Sequence, residues 1–280
     1  MMSIALTQSA GLNRARTFLL GGLVFLGGVL WVDMVHAGAS MESAFILFLG
    51  SLFLWRYGGP WSRRATPQIA SRYGWVWACV SVLFSFASGV LFFGALGWCL
   101  LAIFWVKTFM QGYSNKRLAQ LMAVGLFMFP WVTVDAWWIE WYARLSAASV
   151  SEIVLQWAGF DVVRTGVRLF VSGIELHIAS SCAGLNTLEG VLFFGTVLTY
   201  YFLKGSRLFW GAFCLLPIIA WFSNIIRVSL LCWVAAEWGP SFLTEMLHQW
   251  GGLIILGFLM SAYVALLVCL RTLVSNCYES

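Results

Sequence analysis

The chain has 280 residues, of which 61% are hydrophobic and only 10% charged, with a formal net charge of +5. No single soluble core absorbs that much apolar surface, so the composition excludes an ordinary globular domain and points to an integral membrane protein. The positive balance is a topology signal, from Lys and Arg gathered on one side of a bilayer, and no DNA- or RNA-binding module accompanies it.

Apolar runs near ~20 residues recur along the chain and are continuous instead of alternating, so the spans are helices whose backbone groups bond within one segment. The expected fold is all-α, a polytopic membrane helix bundle of about eight transmembrane helices with a small extracytoplasmic hairpin segment. The spans lie at roughly 17 to 33, 43 to 57, 74 to 91, 93 to 110, 118 to 138, 183 to 203, 208 to 232 and 249 to 270. The first follows a basic segment and lacks a small-residue cleavage site, so it reads as a retained span. Between Gly74 and Met110 the length suits two short helices around Gly89, Gly94 and Gly97, with one long tilted span as the competing arrangement. From Phe129, FPWVTVDAWWIEWY fits an aromatic belt at headgroup depth.

The longest polar segment runs from Glu140 to Ser181. Within it, VVRTGVRLFVSGIELHIA alternates on either side of Ser172-Gly173, predicting a hairpin with Val167, Leu169 and Val171 facing Ile174, Leu176 and Ile178. With both ends cytoplasmic, most Lys and Arg fall inside, among them Arg56, Lys107, Lys116, Lys204, Arg207 and Arg271. Arg144, Arg164, Arg168 and Arg227 lie outside or at the outer edge, and acids such as Asp135, Glu140 and Glu152 share that side. The chain is one membrane domain, with N-terminal spans to about 138, an external segment to about 181 and a last group of spans to about 271.

Of the seven cysteines, Cys79, Cys99, Cys214, Cys232 and Cys269 sit inside apolar runs as small hydrophobes. No CxxC or HExxH is present, so neither a metal nor another cofactor is expected. The stretch HIASSCAGLNTLEG, from His177 to Gly190, is different. It sets Cys182 after two hydroxyls, Ser180 and Ser181, at the mouth of a span, where they cap the helix whose N-terminus favours a thiolate. Continuing the helix puts Asn186 and Glu189 on the same face as Cys182, and an acid inside a span is a functional candidate.

Helical rise serves as a depth gauge. From Lys204 back to Cys182 is roughly 33 Å, from Arg207 to Arg227 roughly 30 Å, and from Arg271 back to His248 roughly 35 Å. Each distance is one hydrocarbon thickness, so Cys182, Arg227 and His248 share the outer leaflet. The types suit one chemistry: a thiolate nucleophile, a fixed cation, and an imidazole to take and return a proton. Asn224, one turn before Arg227, is placed to orient the guanidinium, and His177 is the reserve base. The same types also have plainer uses, since cysteines pack, arginines snorkel and histidines cap helices.

These residues, in this order, resemble the exosortase/archaeosortase family of multi-spanning membrane cysteine transpeptidases. The likeness lies in Ser181-Cys182-Ala183-Gly184-Leu185 opening a span, Pro217 and Asn224-x-x-Arg227 in the next, then Gly239-Pro240 and His248 with Gly251-Gly252. One departure is Asn186, where many bacterial members carry Arg. The resemblance implies Cys182 as nucleophile, completed by Arg227 and His248; Ser181, Asn186, Glu189 and Asn224 are the supporting residues that capping and helical spacing offer. It implies as substrates exported proteins bearing a C-terminal sorting tail, cleaved through a thioester and passed to a surface acceptor at the outer face of the cell inner membrane. The partners expected are these proteins, membrane lipid and the acceptor, whose kind the sequence does not give, with no nucleic acid among them. The competing function is a transporter or binding protein in which Arg227 and Glu189 line a polar path, although internal repeats are not visible.

Overall fold

The structure, a computed structural model, describes residues 21–30, 32, 41–59, 62, 64, 72–179, 183–239 and 245–279, the side chains of 41, 42, 72, 245–249 and 274–279 excepted. Ser180, Ser181, Cys182, Pro240 and the side chain of His248 therefore lie outside the described residues, as does the start of the first expected span. The rest is a helical membrane protein with one small sheet, in two compact units divided between Asp135 and Ala136. Among the described residues, Leu91–Phe109, Leu208–Trp238 and Trp250–Leu273 are long and apolar enough to cross a membrane. Gly21–Leu30, Ser43–Tyr57 and Tyr73–Ser88 are apolar but shorter.

The first unit contains α1 (Gly21–Leu30), α2 (Met41–Tyr57), α3 (Arg72–Ser88), α4 (Leu91–Phe109), α5 (Asn115–Leu126) and α6 (Trp131–Asp135). The stretch from Gly74 to Met110 makes two helices, not one tilted span. The chain reverses at Gly89, whose φ of 71° suits glycine, and Ser85 Oγ closes the turn by donating to Val90 O at 2.9 Å. Gly97 lets α4 close on α3, because a Cβ there would lie 2.6 Å from Val82 Cγ2 and 2.9 Å from Ala78 O. Small residues at such crossings let backbones approach where lipid tails give no hydrophobic drive.

The fifth expected span, 118 to 138, is corrected. Helix α5 ends at Leu126 after 12 residues, and the chain passes through Pro130 before the short α6. Proline has no N–H with which to continue a helix. Asp135, read above as an outer-face charge, caps α4: its carboxylate accepts from Leu91 N at 3.0 Å and Phe92 N at 2.6 Å, satisfying two helix-terminal donors.

The second unit contains α7 (Trp137–Trp157), β1 (Val162–Thr165), β2 (Arg168–Val171), β3 (Ile174–His177), α8 (Leu185–Leu203), α9 (Leu208–Trp238) and α10 (Glu245–Glu279). The expected hairpin is present, with Leu169 opposite Leu176 and Val171 opposite Ile174, and Ile178 N donating to Val167 O at 3.1 Å. Ser172 (φ 49°) and Gly173 (φ 84°) both take the left-handed conformation of a two-residue turn matched to strand twist. Strand β1, not expected from the sequence, pairs antiparallel with β2 to complete a sheet ordered β1-β2-β3. Helix α7 was not expected either; its Ala147, Ala148 and Leu155, at helical spacing, pack on Val162, Leu169, Val171 and Ile178.

Helices α8 and α9 meet at Lys204 and Arg207, the boundary expected from the charges. Helix α9 runs past the predicted 232 to Trp238, and Val228 and Cys232 join the cluster between α7 and the sheet. At the other end, Tyr263 of α10 shares a 2.5 Å hydrogen bond with Thr199 of α8 and donates to Ala212 O of α9 at 3.1 Å. Both hydroxyls are buried, so this triangle satisfies them while fixing three helices to one another.

Candidate active site at the head of α8, α9 and α10

Helix α8 begins one turn later than a serine cap requires. Its N-cap is Gly184, in the left-handed conformation (φ 79°, ψ 12°) and without a side-chain cap, so the cap position expected for Ser180 or Ser181 is held by glycine. The expected shared face of Cys182, Asn186 and Glu189 involves Cys182, which lies outside the described residues. Asn186 is exposed, whereas Glu189 is 5% exposed and points into the bundle.

Close approach by α9 explains the glycine. A Cβ at Gly184 would lie 2.7 Å from Asn224 Cγ, and Asn224 Nδ2 donates to Ala183 O at 3.4 Å. Asn224, 6% exposed, thus anchors the backbone immediately after Cys182. Gly184→Ala is expected to cost about 1–2 kcal/mol from the left-handed backbone alone, before the clash. A lower melting temperature of the detergent-solubilised protein checks it, and an unchanged one means the backbone does not need glycine here.

Arg227 follows Asn224 by one turn of α9 and is half-buried. Its stem lies against α10, where a Cβ at Gly252 would meet Arg227 Cδ at 2.9 Å and Nη1 at 3.6 Å. Glycine there makes room for the guanidinium. His248 precedes Gly252 by four residues along α10. Asn224 and Arg227, past the middle of α9, therefore hold the chain next to Cys182 on one side and meet α10 at Gly252 on the other.

The chain entering Cys182 is held as well. Ile178, 4% exposed, packs in the cluster containing Val228, the neighbour of Arg227, and its carbonyl accepts from Arg144 Nε of α7 at 2.9 Å. Arg144 was missed as a site residue. Its signal was Glu140 four residues earlier, an i,i+4 pair that the structure shows at 3.4 Å. His177, the reserve base, is exposed on β3 opposite Arg168.

Beside Gly184 opens an apolar cleft of about 330 Å³ between α7, α8 and α9, walled by Tyr142, Leu188, Pro217, Ala220 and Trp221. Trp221 Nε1 donates to Ser146 Oγ at 3.1 Å, which fixes one wall. Among the described residues no three His, Cys, Asp or Glu side chains gather as a metal site.

No curated protein and no solved structure matches the chain. A family model described as "Transmembrane exosortase" matches residues 36–265, which include the sheet, α8, α9 and the Arg227 and His248 positions. The chain belongs to the transmembrane exosortase family.

Proposed function

We propose that this protein is a membrane-embedded cysteine transpeptidase or protease that cleaves C-terminal sorting tails from exported proteins. The observation that carries this reading is the convergence just past the middle of α9. There Asn224 bonds the residue following Cys182, and Arg227 lies against the helix that bears His248.

The chemistry assigns Cys182 as nucleophile, Arg227 as fixed cation and His248 as proton carrier. The Cys182 thiolate, favoured by the guanidinium, attacks the scissile carbonyl carbon. Arg227 then donates to the oxyanion of the tetrahedral intermediate. The C–N bond breaks, the leaving amine takes a proton from His248, and a thioester remains on Cys182. An acceptor amine or water attacks the thioester, gives its proton to His248 and releases the thiolate. Ser181, Asn186 and Glu189 support the site, and Asn224 holds it by the Ala183 carbonyl. In this reading the chain crosses the cell inner membrane about eight times, with the site facing outward.

Hydroxylamine tests the covalent step. Processing carried out in its presence is expected to leave a hydroxamate at the new C-terminus of the product, detected by mass spectrometry. Product that carries only a carboxylate at saturating hydroxylamine rules out a thioester.

A further inference from the structure

We propose that Arg144 is a positioning residue that sets where the Cys182 thiol lies, an inference resting on the proposed role of Cys182. The chain around Cys182 is tied to helices on both sides. After it, Ala183 O accepts from Asn224 of α9. Before it, Ile178 is the last residue bonded into the sheet: its N–H donates to Val167 O, while its carbonyl accepts from Arg144 Nε at 2.9 Å.

The tether is built to hold direction. The Arg144 side chain is 12% exposed, its Nη1 meets Glu140 Oε1 at 3.4 Å, and its guanidinium lies 5.7 Å from the centre of the Trp141 ring. Nε is therefore aimed at the carbonyl by a second hydrogen bond and an aromatic ring on the same helix. Lysine keeps the charge but is a rotating point donor that cannot satisfy both oxygens in one plane. The neighbouring turn of α7 is locked as well, since Ala147 and Ala148 are fully buried in the cluster containing Ile178. With the α7 backbone fixed there, displacement of the guanidinium passes to Ile178 O and so to the chain that enters Cys182.

The test uses the full-length protein in membranes, comparing wild type, Arg144→Lys, Glu140→Gln and Cys182→Ala. Two quantities are measured: the kcat and KM of tail cleavage, and the pH profile of Cys182 alkylation by iodoacetamide, followed on its own peptide by mass spectrometry. Arg144→Lys is expected to lower kcat about ten- to hundredfold with KM within about twofold, and to slow alkylation at neutral pH by raising the thiol's apparent pKa. Glu140→Gln, which leaves the tether in place, is expected to shift both readouts in the same direction by less, and it decides the matter if Arg144→Lys fails to accumulate. An unchanged alkylation profile in a folded variant overturns the inference, whether turnover is normal or falls only with melting temperature. If Cys182→Ala still cleaves tails, the proposed function itself fails, a result separable from failure of the Arg144 role.

Discussion

Cys182→Ala is expected to abolish tail cleavage, with turnover falling at least about a thousandfold while the protein accumulates normally in the membrane. In the proposed mechanism no other group replaces the nucleophile: without sulfur there is no thioester, and oxyanion stabilisation alone leaves a small residual rate. Neither of the backbone ties around Cys182 uses its side chain, since Asn224 bonds Ala183 O and Arg144 bonds Ile178 O. Immunoblots of a tagged tail substrate in cells carrying the variant check the outcome. Tail cleavage at the wild-type rate removes Cys182 from the mechanism.

Arg227→Lys is expected to lower kcat about 10²–10³-fold, the scale for losing one oxyanion donor, with little change in KM. Lysine keeps the charge at this depth but loses the planar fork of donors. Its position is built for the larger group: Gly252 leaves room where a Cβ would sit 2.9 Å from Arg227 Cδ. Steady-state kinetics on detergent-solubilised protein, with matched melting temperatures, separate this effect from misfolding. Wild-type turnover in the variant means that charge alone suffices and the directional donor is not used.

Much of this protein is readable locally. Charge and apolar length place the Lys204 to Arg207 turn between two helices, and alternation about Ser172-Gly173 gives the hairpin its register, because both depend on near neighbours and on a two- or four-residue period. The order of the Cys182, Asn224, Arg227 and His248 motifs points to the family that the comparison over residues 36–265 shows. Helix α7 was less legible, since its aromatic start reads as an interfacial belt and its polar face as an external segment.

What the sequence by itself determined is the membrane class, the hairpin and the residue types on which the proposed chemistry draws, all set by composition and short-range periodicity. Only the tertiary structure decided that Asp135 caps α4, that Gly184 rather than a serine opens α8, and that Asn224 and Arg144 tie down the two ends of the Cys182 segment. Each of these joins groups far apart in the chain. A backbone donor or acceptor at the end of an element must be satisfied by whatever packing brings near it, and no local pattern records which side chain that is.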